Sequence, residues 1–588
     1  MNRVAGLAGF GRSSACLYVD GKLSSAVPEE ACTHRKNDPG IPAEAFAWCC
    51  ESSGVDPSAL DYVAFAEKPV QRFIRVLGEL ATGFPGTARS FPSTLRTWLG
   101  DRLWLKSRLV EALHIPAEKL LFVERGVAQA SSAFLTSEFD EAAVLVVDNT
   151  GEWATTTLAV GRSAGNATSI DVIAEIQHPH SLAHVLEAVS HHLMLPEHGG
   201  QRWLAALDAF GTSRFAPELS RMVPSGADGT YSLDPRMFEL RSGRTRFAQA
   251  AQTWIGPPRR PGQPLLDESR WADIAASVAS VVAARCVELT RIARERTGKR
   301  ALCLGGSVFL HPRVLTTVLR ESPFDAIHVD PYLDEAGAAN GAALHVLHVA
   351  GDVPRTRSPS LNDGHSLPFE MAAVDELELR AEVLTDEEIV MTAVDLLAEG
   401  TVIGWGEGPP EVTTSPTGRR ALLADPGSKK ALRRLRRDIK ESESHVPLAL
   451  LALDTAIESW ASGGVPHPAV SAAQALVDVP EDIAVTMPDA LHADGRALVR
   501  AVDPDEQPRL AAVLRAFAER TGRPPILALS SMNRSGEPPA LTARDALRLV
   551  RQTPIETLFW GSHAVHHVDR HDPDRVPDSL TRTTELAP

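Results

Sequence analysis

One pattern, met twice, constrains this 588-residue chain more than anything else in it. Apolar runs at Val4 to Ala8, Ala15 to Val19 and Leu23 to Val27 are separated by Gly9 to Arg12 and by Asp20-Gly21. Asp-Gly between two apolar runs is a hairpin signal, because both residues tolerate positive φ. The pattern returns at Ala142 to Val147, which runs into Asp148-Asn149-Thr150-Gly151-Glu152 and comes back through Trp153 to Val160. Further on, Ala301 to Leu304 reads as a short buried strand, and Gly305-Gly306-Ser307 as a turn into a helix from about Val308. Such turns place helix N-termini beside ligands. Asp334 to Val349, with Gly337, Gly341 and many alanines, suits a helix packed closely on its neighbours.

A strand, a glycine-bearing turn that can wrap phosphate with backbone N–H groups, and a returning strand, repeated once, resemble the duplicated core of the actin, hexokinase and Hsp70 superfamily. The expected fold is therefore α/β, with an actin-like first domain over residues 1–355. Between Gly351 and Leu367 the periodicity dissolves into Pro, Ser, Arg, Asn, Asp and Gly, which reads as a linker, assigned to 356–375. Beyond it, Glu387 to Leu397, Val402 to Trp405, Arg509 to Arg520 and Pro525 to Leu527 alternate helical and extended patterns, a second α/β domain over 376–570. The polar stretch 571–588 reads as a frayed tail. Two or three units are what a chain of this length requires, since one core stops growing well below it.

Bulk properties exclude some roles. A net charge of -16 provides no broad basic field for nucleic acid or an anionic membrane. The six cysteines (Cys16, Cys32, Cys49, Cys50, Cys286, Cys303) include no CxxC pair and read as reduced, mostly buried thiols. The N-terminus lacks the apolar run of about 7–15 residues of a signal peptide, and no later stretch is long enough to span a bilayer. A cytoplasmic location is expected.

Several stretches together resemble the ATP-dependent O-carbamoyltransferases of nodulation-factor and antibiotic pathways. Glu29-Glu30 followed by Lys36-Asn37-Asp38-Pro39-Gly40-Ile41-Pro42 is similar to that family's Glu-Glu-Arg-Phe and Lys-x-Asp-x-Gly-Phe-Pro segment. Thr150 to Thr156 is close to its Gly-Glu-Trp-Ala-Thr-Thr, and His180-Ser181-Leu182 to its Pro-His-Ser-Leu. Later, Arg420 with Leu423 to Pro426, His492 to Gly495, and Ser531-Met532-Asn533 with Gly536 to Pro538 resemble its YrdC-like domain. The resemblance implies two steps. The second domain forms carbamoyl adenylate from carbamoyl phosphate and ATP, with Mg2+, and the first passes the carbamoyl group to the hydroxyl of a small-molecule acceptor in secondary metabolism. Water must be kept from so labile an intermediate.

Residue by residue, the resemblance implies catalytic roles for Asp148, Glu152, Lys36 and Asp38. It implies nucleotide contacts for Lys440, Arg420, His492, Asp494, Ser531 and Asn533, and metal contacts for Glu335 and Asp148. Taken without it, Asp148 is equally well a turn cap, and Ser531 and Asn533 need no function in a loop after a strand.

Four departures matter. The family's His-x-x-x-His metal pair reads Arg125 and Gln129, and Glu335 stands where the family has Asp; acidic oxygen remains but nitrogen ligands are gone, which argues against a transition metal. The early His, a general base, aligns with Arg12, which stays charged and accepts no proton. Gly-Pro-Arg-Ala-Leu-Gly has become Thr413 to Gly418, with Ser415 for the arginine, and two further arginines appear as Ser442 and Leu498, leaving Lys440 to compensate. Three readings follow: an active carbamoyltransferase, a degenerate homologue that binds an active paralogue or a second copy of itself, or a repurposed pocket built on Asp148, Glu152, Arg125 and Glu335. A substitute metal site at His180, His184 and His191 is not expected. Leu182, Val185, Leu186, Val189 and Leu193 make the apolar stripe, which leaves those histidines facing solvent. His563, His566, His567 and His571 lie in or near the tail.

Overall fold

The structure, a computed structural model, describes residues 2–84, 88, 91–149, 151–164, 167–196, 200–226, 228–239, 245–351, 353–355, 368–413, 416–441, 448–460 and 472–567. Ser415, Ser442, most of the expected linker and the expected tail lie outside them. The chain divides into two compact units, Met1–Thr33 with Asn37–Asp363, and His34–Lys36 with Gly364–Pro588.

The first unit is a duplication. Strands β1 (Arg3–Ala8), β2 (Ser14–Val19), β3 (Lys22–Pro28), β4 (Tyr62–Phe65) and β5 (Leu120–Phe122) form one sheet in the order β3-β2-β1-β4-β5. Strands β6 (Glu141–Val147), β7 (Ala154–Ala164) and β8 (Ala167–Gln177) are followed by the short β9 (Phe238–Glu239) and β10 (Arg246–Phe247), then by β11 (Ala301–Gly305) and β12 (Ala326–Val329). The second sheet runs β12-β11-β6-β7-β8. The orders correspond strand for strand, and so do the directions: β1 is antiparallel to β2 and parallel to β4, as β6 is to β7 and β11. This repeated topology is the actin-like fold. The expected Asp-Gly hairpin is present, with Asp20 at φ 51° and Gly21 at φ 81°. β1 and β6 read as unbroken apolar runs because both their faces are covered.

Two helices join the halves. Arg125–Leu135 packs along Glu335–Leu344, and the latter also lies on β1 and β2. Their approach depends on missing side chains: a Cβ at Gly341 would collide with the Ala128 carbonyl, and one at Gly6 with the Ala339 carbonyl. All six cysteines are free, five of them buried and Cys32 half-buried; burial pushes the Cys16 and Cys303 thiols up to about 12.

The second unit is a mixed sheet. Its strands are β13 (Leu379–Val383), β14 (Val402–Gly406), β15 (Arg420–Ala424), β16 (Ala449–Leu453), β17 (Ala472–Asp478), β18 (Arg496–Val502), β19 (Ile526–Ser531), β20 (Thr557–Trp560) and β21 (His563–His567). Among the described residues the order is β13-β21-β20-β14-β15-β19-β16-β18-β17. Helices Asp386–Ala398 and Pro508–Thr521 supply Ile389, Leu397, Leu514 and Phe517 to a core shared with Trp405, Leu423, Leu451 and Phe559. Thr385 and Glu388 close a capping box at the first of them. His563, His566 and His567 belong to β21 rather than to a tail, and His566 bridges Thr557 and Glu382 at 3.0 Å each. Among the described residues no helix is long and apolar enough to cross a membrane.

Candidate active site

The strand ends and helix N-termini of the first unit deliver four of the expected residues to one place. Asp148 follows β6 directly, at 5% exposure. Its Oδ2 accepts from Arg125 Nε at 2.8 Å, and its Oδ1 from the Ser307 backbone N–H at 3.1 Å and from the Ser307 hydroxyl. Burial alone would raise this carboxyl; the Arg125 guanidinium and Ser307 outweigh it and hold it down to about 2. Arg125 also reaches Glu335 Oε1 at 3.4 Å through Nη2. Glu335 is raised, with burial prevailing over Arg125. Glu152, 1% exposed, accepts from the Lys68 backbone N–H at 2.6 Å and from the Arg125 backbone N–H at 3.2 Å. It therefore holds the first turn of the helix that carries Arg125, where a carboxylate complements the helix dipole.

Beside this group lies a second one that the sequence did not reveal. Arg12, on the turn after β1, gives Nε to Glu30 Oε1 at 2.8 Å and Nη1 to Asp334 Oδ2 at 3.1 Å. Asp334 in turn caps the helix Glu335–Leu344 through the Ala336 N–H. Glu30 also accepts from the Asn37 N–H at 2.7 Å. Asp38 serves its own loop, accepting from Thr33 Oγ1 at 3.0 Å and the Gly40 N–H at 2.9 Å. Lys36 falls in the stretch that groups with the second unit. The signal for Arg12 was present only in its type; Glu30 and Asp334 are 18 and 322 residues away.

His184 corrects an expectation. It is 7% exposed and packs edge-to-face on His178, ring centres 5.6 Å apart, because the helix Leu182–His192 buries Ala183, His184 and Ala188 as well as its leucine and valine stripe. His180 accepts from the Leu233 N–H at 3.1 Å, and His191 lies 3.6 Å from Glu187. The three do not converge.

In the second unit Lys440 gathers the residues after β19. Its Nζ donates to the Ser531 carbonyl at 2.9 Å and hydroxyl at 3.2 Å, and to the Asn533 carbonyl at 2.8 Å and side-chain oxygen. Asp494 pairs with Arg496 in the turn that also holds His492. Arg420, 1% exposed, lies 4.2 Å from the Trp560 ring and donates to the Glu407, Gly408 and Arg419 carbonyls. Burial lowers it to about 10. Nearby, the Glu411 carboxylate accepts from the backbone N–H groups of Thr417, Arg419 and Arg420. Around Glu411 stand three buried guanidiniums, Arg419, Arg420 and Arg500, each lowered by burial and partly restored by its charge. Arg500 donates to the Pro416 carbonyl at 3.1 Å.

Two family models account for nearly all of this framework: Carbamoyltransferase N-terminus over residues 3–344 and Carbamoyltransferase C-terminus over 394–567. The chain belongs to the carbamoyltransferase family. An uncharacterized protein of Synechocystis is 30% identical over 95% of each chain. Nodulation protein NolNO of Sinorhizobium fredii is 26% identical over 94% of this chain and 78% of its own length, and nodulation protein NolO of Bradyrhizobium diazoefficiens is 29% identical over 78% and 81%. Among solved structures, component A of (R)-2-hydroxyglutaryl-CoA dehydratase of Acidaminococcus fermentans is similar at 13% identity and TM-score 0.31, over 59% of this chain and 97% of that one.

The first centre of this carbamoyltransferase-family chain does not fit a resident metal. The Arg125 guanidinium sits against both Asp148 and Glu335, so the carboxylates that would hold a cation already share a fixed one. Among the described residues no three His, Cys, Asp or Glu side chains are grouped to bind a metal ion. Arg500 lies two residues from Leu498 on β18, hence on the same face of the strand, and it converges with Arg419 on Glu411.

Proposed function

We propose that this chain is an active ATP-dependent O-carbamoyltransferase of small-molecule biosynthesis, with a YrdC-like second unit that makes carbamoyl adenylate and a first unit that transfers the carbamoyl group. The observation that carries this reading is the grouping of three buried guanidiniums, Arg419, Arg420 and Arg500, around Glu411, with Glu407 and Glu506 also near Arg419. Buried guanidiniums so grouped suit a phosphate-bearing ligand, since fixed cations are what phosphoryl-type charge requires. Water releases phosphate from carbamoyl phosphate. The carbamate oxygen then attacks the α-phosphorus of ATP and pyrophosphate leaves; Lys440, Ser531 and Asn533 contact the nucleotide, and bound Mg2+ would neutralise phosphate charge.

In the transfer step the acceptor hydroxyl oxygen attacks the carbamoyl carbon and AMP leaves. Arg12 accepts no proton, and Asp148, held down to about 2, is a poor acceptor. Glu335, raised by burial, takes the hydroxyl proton. The test is incubation of pure protein with ATP, carbamoyl phosphate and Mg2+. Pyrophosphate and carbamoyl adenylate are both expected, with at least a tenfold loss in Arg500→Ala. If the wild-type protein forms neither, the active reading fails, and co-purification with an intact paralogue becomes the observation to seek.

A further inference from the structure

Gln129 is a buried side chain of the first unit whose donor and acceptor are both left without a partner by its own fold. It is 1% exposed, and neither its Oε1 nor its Nε2 has a hydrogen-bond partner among the described residues. It lies one turn beyond Arg125 on the helix Arg125–Leu135, so the two side chains rise from the same face. Its main-chain oxygen stands 3.4 Å from where a Cβ on Gly305 would be, beside the turn whose Ser307 holds Asp148. Burying a carboxamide with both donor and acceptor unpaired is costly, and a fold keeps such a group where a ligand supplies the partners.

The chemistry of the missing partner follows from the group itself. A carboxamide offers an acceptor oxygen and donor N–H groups side by side. A phosphate supplies acceptors alone, and an ether or ester carbonyl likewise. A primary carbamate, –O–C(=O)–NH2, presents the complementary acceptor and donor in one plane and closes two hydrogen bonds at once.

We propose that Gln129 is the residue of the first unit that reads the carbamoyl group, pairing its side-chain oxygen with the carbamoyl NH2 and its NH2 with the carbamoyl oxygen. It would do so next to the fixed charge of Arg125, in a centre without a metal ion. This rests on the transferase reading only for the identity of the ligand; its test needs no turnover.

The probe is methyl carbamate, with methyl acetate as its control lacking the NH2, followed by saturation transfer from the full-length protein. Saturation of methyl carbamate several-fold above that of methyl acetate is expected for the wild-type chain. The difference should vanish in Gln129→Leu and in Gln129→Met, the second variant guarding against a misfolded first. Both variants should also melt a few degrees higher than wild type, since each removes an unpaired buried amide while filling its volume. Equal saturation by the two probes would overturn the assignment, as would a carbamate preference that survives both substitutions. A lower melting temperature in both variants would do so too, since it means that a bound water already satisfies the amide. Failure of the transferase reading would show separately, as a wild-type chain that releases no pyrophosphate.

Discussion

Two arginines organise the charge of the first unit, and their partners give each a different character from the one its sequence position suggests. Arg125 shares itself between Asp148 and Glu335, while Arg12 is fixed by Glu30 and Asp334. Asp148 read alone is a turn cap as readily as a functional carboxylate, and the two roles separate on substitution. A cap tolerates Asn, which keeps one acceptor oxygen and the shape. A charge partner does not, because the guanidinium is left buried and half-compensated. Asp148→Asn should therefore cost about 3 kcal/mol of stability in denaturant melts, and a loss below about 1 kcal/mol, the ordinary worth of one hydrogen bond, would return Asp148 to the role of a cap. The sequence made Asp148, Glu152, Arg125 and Glu335 legible as neighbours, since each stands at an end of a recognisable element. It could not show what Arg12 does, because an ion pair spanning 322 residues has no local signature.

At the scale of elements, local chemistry carried far and contact surfaces did not. The Asp20-Gly21 hairpin, the paired strand patterns and the glycine-rich helix are written in runs of a few residues, and the fold contains all of them. Which helix that glycine face meets is a tertiary fact. So is the burial of His184, where an apolar stripe suggested one covered side and the packing covers more. The helix contact yields a paired prediction. Gly341→Ala should destabilise by about 3 kcal/mol, the upper end of overpacking costs, since its Cβ would meet the Ala128 carbonyl and force apart the two helices that position Arg125 and Glu335. Gly78→Ala, inside the helix Pro69–Thr82 with open space around it, should instead stabilise by about 1 kcal/mol through helix propensity. Thermal melts of both variants decide the matter; similar effects of the same sign would mean that the close helix contact is absent.

For the molecule as a whole, buried imidazoles set how stability answers to pH. Burial lowers His184 and His192 to about 4 and His311 to about 3, from the usual 6.5. Each is neutral in the fold and takes up a proton once unfolded below about pH 6.5. The unfolded chain then binds more protons, so these groups stabilise the fold fully above pH 6.5 and progressively less down to their folded values. Asp330 works against them. Burial pushes it up to about 8, so it is protonated in the fold and ionised when unfolded, and the penalty it imposes near neutrality shrinks as pH falls towards 3.8. With His328, likewise lowered to about 4, four imidazoles stand against Asp330, and the balance is a net loss on acidification between pH 6 and 5 of about 1.4 kcal/mol per pH unit for each proton not offset. Asp148, held down to about 2, adds nothing to that window because it is ionised in both states there. The melting temperature of the first unit should therefore drop steeply from pH 7 to 5. His311→Gln should flatten the slope by about 1.4 kcal/mol per pH unit, its single proton being removed from the balance. A slope that is flat in the wild type, or unaltered by that substitution, would mean that these imidazoles reach solvent in the folded protein.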